Sequence, residues 1–176
     1  MEPPFLTRPT VEYKASYIAA MHEYHQEGIR PGWKYELLET QFEDYVQLLL
    51  DREYRPLKGF VPQSDYWLIA EGVYAGTIDL RHYLTEALEQ FGGHIGYRIR
   101  PTMRKKGYGT LQLQLLLPKA WGMGFERVLI TCDDNNWGSI KIIEANGGIL
   151  QDKVDNNRGV LTRRYWIHRK RISDHP

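Results

Sequence analysis

The chain has one cysteine, Cys132, among its 176 residues, so no intrachain disulfide can form and a small disulfide-stapled secreted scaffold is excluded. It also lacks an excess of one charge. Its 23 lysines and arginines against 22 aspartates and glutamates leave a formal net charge of +1, which gives no broad basic field for nucleic acid. Apolar runs such as Leu48–Leu50 and Leu115–Leu117 fall far short of the roughly 20 residues that cross a bilayer, so no membrane partner is expected. Met1-Glu2-Pro3-Pro4 has neither the basic start nor the apolar core of a secretion signal, and the cytoplasm is the expected location. Of the six histidines only His22 and His25 stand at close helical spacing, an arrangement more typical of a solvated face than of a ligand pair. No metal is expected.

What remains is a globular composition, 42% hydrophobic and 26% charged, of a length suited to one domain over residues 1–176. Three prolines in the first ten residues make 1–11 a loosely held lead-in. Aromatics are plentiful: twelve tyrosines and five tryptophans exceed the needs of a small core and suggest a partly aromatic-lined cleft.

Tyr17, Ile18, Met21, Tyr24 and His25 recur at helical spacing between Lys14 and Gly28. Phe42, Tyr45, Val46, Leu48 and Leu49 mark a second helix, to about Tyr54. Tyr66–Ala70 and Val73–Leu80 read as a hairpin turning at Glu71-Gly72, and Leu84–Gln90 as a short helix or excursion. A strand follows over His94–Arg100, then a helix from Leu111 to about Gly122 that contains Pro118, where a kink or break is expected. Arg127–Cys132 is a buried strand and Ser139–Asn146 a short helix stopped by Gly147-Gly148. Strands near Ile149-Leu150 and over Val160–Ile167, with the turn Asp155–Gly159 between them, close the chain.

The most informative stretch is Ile95–Thr110, a strand ending at Pro101 followed by the basic, glycine-containing turn Arg104-Lys-Lys-Gly107-Tyr-Gly109 and then a helix. A helix N-terminus presents unpaired N–H groups and the positive end of the macrodipole, so this turn reads as a phosphate or pyrophosphate cradle. It is not a Walker loop, because the lysines precede the glycines, and it lacks the third glycine of the dinucleotide fingerprint.

The turn matches Arg/Gln-x-x-Gly-x-Gly/Ala, the pyrophosphate loop of the GCN5-related N-acetyltransferase (GNAT) superfamily, which the chain resembles from about residue 12 to 170. A second motif, Asn136-Trp137-Gly138-Ser139, opens the next helix as an Asn-x-x-Ser turn does in that superfamily, and the wording around Gly93–Tyr97 and Asn146–Gly148 resembles a subgroup of predicted acetyltransferases. The resemblance implies an α/β (α+β) GNAT fold: a central mixed, mostly antiparallel sheet of six to seven strands flanked by about four helices. It implies acetyl-coenzyme A as cosubstrate, held by Tyr97, Arg98 and Ile99, by Arg104, Lys105, Lys106, Gly107, Tyr108, Gly109 and Thr110, and by Asn136 and Ser139. Main-chain groups of Tyr97 and Ile99 would hold the pantetheine arm as an added strand is held.

An amine acceptor must lose a proton before it can attack. His94, with an ordinary pKa of about 6.5, is the first choice of base, with Asp79 and His82 as alternatives. Many relatives carry the acid as a tyrosine four residues past the Ser/Ala, and here that position is Ile143, so either Tyr97 or Ser139 serves instead, or the thiolate leaves unassisted, or the chemistry is weak. Tyr17, Tyr24, His25, Trp33, Tyr35 and Trp67 would wall an acceptor pocket for a small molecule or peptide, and Arg81, His82 and Arg98 are candidates for an acceptor carboxylate. The expectation is an N-acetyltransferase, monomer or homodimer. A catalytically weak acyl-coenzyme A-binding sensor or interaction module is the alternative that Ile143 favours.

Overall fold

A computed structural model describes residues 2–29, 35–156 and 159–170. Expectations for Trp33, for Arg158 in its turn and for His175, and that for the Tyr35 side chain, lie outside the described residues. The strands are β1 (Phe5–Thr7), β2 (Gln63–Ala70), β3 (Val73–Arg81), β4 (Ile95–Ile99), β5 (Arg127–Asp133), β6 (Ile149–Asp155) and β7 (Leu161–His168). The helices are α1 (Lys14–Gln26), α2 (Tyr35–Leu38), α3 (Phe42–Asp51), α4 (Glu86–Gln90), α5 (Tyr108–Gly122) and α6 (Trp137–Ala145). They build two sheets in the orders β1-β2-β3-β4 and β5-β7-β6, with antiparallel ladders throughout.

One expectation is corrected here: the N-terminus is not a loose lead-in. Phe5, Leu6 and Thr7 pair with Ile69, Leu68 and Trp67 of β2, Phe5 packs on the α1 core, and Leu6 on the core beneath. Two apolar side chains and an open sheet edge outweigh the flanking prolines.

Strand alternation separates two cores. On one face of the first sheet, α1 and α3 cover Trp67, Ile69 and Tyr74, with Tyr17 stacked on Trp67 at 4.7 Å between ring centroids. On the other face Ile78, Leu80 and Ile95 join Leu113 and Leu116 of α5 and Val128, Ile130, Tyr165 and Ile167 of the second sheet. Helix α5 thus ties the sheets together from below. It runs unbroken through Pro118. Proline removes the bond to the Gln114 carbonyl, but Gln114 and Pro118 both line an open concavity, where water can take that carbonyl.

Beyond this shared core, one isolated β-bridge among the described residues joins the two sheets, at Gly93 and Ile130. At this joint the His94 N–H donates to the Leu129 carbonyl at 2.7 Å. A side chain on Gly93 would meet the Leu129 carbonyl oxygen at 2.4 Å, so only glycine fits there. Beyond the joint no ladder among the described residues connects β4 to β5, and a gap opens between them.

Candidate active site

The gap exposes one edge of β4. Arg81 N–H bonds the His94 carbonyl and Arg100 N–H the Ala75 carbonyl, so by the two-residue period His94, Gly96, Arg98 and Arg100 spend their main-chain groups on β3. Those of Tyr97 and Ile99 therefore face the gap. The Ile99 carbonyl already accepts from Arg104 Nε at 3.2 Å.

On the α5–α6 side of this edge runs a groove of about 580 Å³ lined by Tyr97, Arg98, Ile99, Arg104, Lys105, Gly107, Gly109, Thr110, Asn136, Gly138, Ser139, Lys141 and Ile142. The two sequence motifs, far apart in the chain, meet in it. Gly107 caps α5 at φ +84, a conformation that favours glycine, and leaves the first N–H groups of the helix open. Gly109 serves a different purpose: a methyl there would meet Ile142 Cδ1 at 2.4 Å, so its bareness lets α5 and α6 close together. Asn136 Oδ1 accepts the Ser139 N–H at 3.1 Å and caps α6.

The cradle's charges are distributed differently from expectation. Arg104 is paired with Glu27 at 2.8 Å. Lys106 stands 3.5 Å from the Glu71 carboxylate, which also accepts from the Tyr108 hydroxyl at 2.9 Å, and neither side chain borders the groove. Their partners lie far off in sequence, at the C-terminal cap of α1 and in the β2–β3 turn. Lys105 borders the groove, joined by Lys141 of α6, a residue missed in the sequence; its position two residues past Ser139 on the same helical turn was the available signal.

His94, expected as a base, belongs to the joint. Its Nδ1 accepts the Leu129 N–H at 2.9 Å and its ring stands edge-on to Phe125, 5.3 Å between centroids. Burial, with the nearby Arg81 and Arg127 charges, pushes its pKa down to about 4. Protonating Nδ1 would break a buried bond, so the ring works as a structural acceptor. His94→Ala is expected to lower stability by about 1–3 kcal/mol and to leave turnover of the surviving folded enzyme within a few-fold of wild type. Thermal unfolding beside a steady-state assay checks both. His82 is also engaged, its Nε2 lying 2.9 Å from Ser64 Oγ, and Arg81 is committed to the Gly92 and Gly93 carbonyls at 3.0 Å each.

Tyr97 points to the α5–α6 side, where its hydroxyl donates to the Ser139 carbonyl at 3.4 Å, and burial pushes its pKa up to about 12. Ile143 is wholly buried in the core against Gly148, so its position on α6 presents nothing to the gap.

Across β4, on the α1–α3 side, lies a second cavity of about 370 Å³ whose walls include Tyr17, Tyr24, Tyr45, Tyr74, Arg52, Asp65, Asp79, Gly96, Tyr97 and Arg98. Trp67 lies beneath it in the core, and the Arg98 guanidinium stands over the Tyr24 ring at 5.4 Å. Tyr97 and Arg98 border both cavities. A larger concavity of about 1360 Å³ behind α5 takes only Thr110 of the expected residues. Among the described residues no three His, Cys, Asp or Glu side chains gather as a metal set, and no helix is long and apolar enough to cross a membrane.

The site thus lies where two layers part between β4 and β5, with the α5 N-terminus closing one end of the gap. The chain matches the family model of the acetyltransferase (GNAT) domain over residues 11–149 and belongs to that family. Solved structures agree on the fold. The Salmonella typhimurium acetyltransferase that modifies the N-terminal serine of a 50S ribosomal subunit protein superposes with a TM-score of 0.67 at 15% identity, covering 97% of each chain. Mycobacterium smegmatis RimJ in complex with a coenzyme A disulfide gives 0.70 at 14%, over 93% of this chain and 80% of that one. The microcin C7 self-immunity acetyltransferase MccE, in complex with acetyl-coenzyme A and AMP, gives 0.68 at 15%, over 96% and 93%. No curated protein sequence matches the chain.

Proposed function

We propose that the chain transfers an acetyl group from acetyl-coenzyme A to a primary amine by direct attack in a ternary complex. The observation that carries this reading is the meeting of two cavities at one strand: a groove with a helix N-terminus, Lys105 and Lys141 on one side of β4, an aromatic and acidic pocket on the other. A pyrophosphate fits the first, since free N–H groups and two lysines converge there. A pantetheine arm fits the open β4 edge, with its unspent Tyr97 groups and Ile99 N–H.

Bound acetyl-coenzyme A supplies the thioester-activated acetyl group. The chain's own residues have three tasks. Main-chain donors of β4 orient the thioester and polarise its carbonyl. The aromatic walls hold the amine against Gly96 and Tyr97 and exclude water. The Tyr97 phenol, protonated at neutral pH, stands in the gap to return a proton to the departing sulfur.

Calorimetric titration with acetyl-coenzyme A, beside ATP and NAD, tests the groove. Micromolar binding of acetyl-coenzyme A alone is expected. Lys105→Ala/Lys141→Ala should weaken it by about 10–100-fold, as the loss of charge-assisted phosphate contacts would. Arg104→Ala should cost less, because its guanidinium is already paired to Glu27. A folded wild-type protein that binds no acetyl-coenzyme A overturns the reading. The buried Ile143 favours one other reading, an acyl-coenzyme A-binding module without turnover; binding with no acetylation across an amine panel would select it.

A further inference from the structure

The acceptor cavity holds two groups that the reaction outlined above leaves unused. Asp65 of β2 and Asp79 of β3 are direct partners in the antiparallel register, and both line the cavity. Residues so opposed on one face stand about 5 Å apart at Cβ, and like charges there repel. Asp65 is buried; its Oδ1 accepts from Gln63 Nε2 at 3.1 Å and from Arg52 Nη1 at 3.3 Å. Asp79 Oδ2 lies 3.4 Å from Arg81 Nη2, without hydrogen-bond geometry. Gly96 leaves room for this carboxylate, since a methyl there would come within 2.9 Å of Asp79 Oδ1.

A third group points to a ligand independently. Tyr24 lines the same cavity, only 1% exposed, and its enclosed hydroxyl, with Tyr74 as its near neighbour, reaches full hydrogen-bond geometry with no group among the described residues. Enclosed polar atoms are rarely left so. A hydroxyl without a hydrogen bond and a carboxylate oxygen held only by the Arg81 charge, on one small cavity, ask for a ligand with several donors. The two carboxylates and the aromatic lining favour one that is cationic.

We propose that Asp65 and Asp79 form the seat for the acceptor's ammonium group and accept the proton it must lose. The acceptor class is therefore a primary alkylammonium, and the inference rests on the acetyltransferase reading. One N–H bond of the ammonium breaks as a carboxyl O–H bond forms, leaving the amine lone pair free to attack. The second N–H proton goes to the departing sulfur once the C–N bond has replaced the C–S bond, and the carboxyl proton returns to water. Ammonium and thioester become amide, thiol and one proton.

Charge and burial fit the role. Burial raises the Asp65 pKa to about 6, Arg52 opposing and Asp79 adding to the rise; burial also raises Asp79, against Arg81 and Arg52. The other groups facing the pair are Arg8 from the turn after β1, Arg98 of β4 and the hydroxyls of Tyr24 and Tyr45. A carboxylate so raised is mostly ionised at pH 7 and still basic enough to take a proton.

The test is calorimetry of the free protein with phenethylammonium and with 2-phenylethanol, its neutral analogue of the same shape. Saturable ammonium binding is expected, with the alcohol at least about 10-fold weaker. Asp79→Asn and Asp65→Asn should each lower ammonium affinity by a similar factor and leave acetyl-coenzyme A affinity unchanged. Carboxyl carbon-13 NMR should show Asp65 titrating above the usual aspartate range, with its midpoint moving down when the ammonium binds. Equal affinity for ammonium and alcohol, no ammonium binding, or unchanged affinity in both variants overturns the seat. The ammonium-to-alcohol ratio of the wild type needs no variant to fold. Ammonium binding by a protein that ignores acetyl-coenzyme A would instead sink the transferase reading and leave the seat standing.

Discussion

Ile99→Pro is expected to abolish acetyl-coenzyme A binding in a protein that still folds. Alternation along β4 sends the Ile99 N–H into the gap and not onto β3, so proline removes no ladder bond. The residue before it, Arg98, is already extended in the strand, as proline requires of its neighbour. What is lost is the donor on the open edge, and the pyrrolidine ring is set in its place, against the path of an added strand. A lost donor alone weakens binding by about 10–100-fold, and the ring's bulk adds to that. Ile99→Ala supplies the control. It removes the side chain from its packing against Met103 and Leu68 but keeps the N–H, so stability should drop while affinity holds. Circular dichroism and calorimetry on the two variants decide the matter: normal binding by a folded Ile99→Pro protein means the edge is not the pantetheine site.

That test was available from sequence because the cradle is a local signal. Strand, glycine turn and helix N-terminus follow one another within Ile95–Thr110, and neighbouring residues determine their geometry. The same holds for the α6 cap at Asn136 and for most element boundaries. Charge pairing is different. Whether Arg104 is free depends on Glu27, 77 residues away, and no periodicity brings the two together. His94 has a catalytic-looking position on the right strand. Only its bond to Leu129 N–H, across the joint between two sheets, shows its occupation.

The carboxylate pair was hidden for a subtler reason. Near the Glu71-Gly72 turn the hairpin pairs Ala70 with Val73 and Ile69 with Tyr74, a register that would carry Asp65 opposite Ile78 and leave the two aspartates out of step. A bulge between Leu68 and Ile69 adds one residue on the β3 side, so Leu68 meets Gly76 and Asp65 meets Asp79. A one-residue slip exchanges the faces of everything beyond it. Composition cannot announce such a bulge, and the pocket's chemistry depends on it.

Tyr97→Phe is expected to reduce kcat by about 100-fold with little change in KM for either substrate, the effect of losing a positioned general acid. The family's tyrosine position holds Ile143, sealed in the core, so a proton for the departing sulfur must come from elsewhere. Tyr97 has the location: it borders both cavities and the gap, and its hydroxyl spans from β4 to the start of α6. At 3.4 Å its bond to the Ser139 carbonyl is long and easily given up. Burial raises its pKa to about 12, so the phenol is a donor, not a base, throughout the working range, and its ionisation puts no alkaline limb on the rate below that pH. The acid limb of kcat/KM belongs to Asp65, whose raised affinity for protons silences it as pH falls through about 6. The two roles therefore separate on one pH profile. Tyr97→Phe should lower the whole curve without moving its acid limb, whereas Asp65→Asn should move the limb. A Tyr97→Phe enzyme with wild-type kcat would mean that the thiolate leaves unassisted and that the phenol only fills the gap.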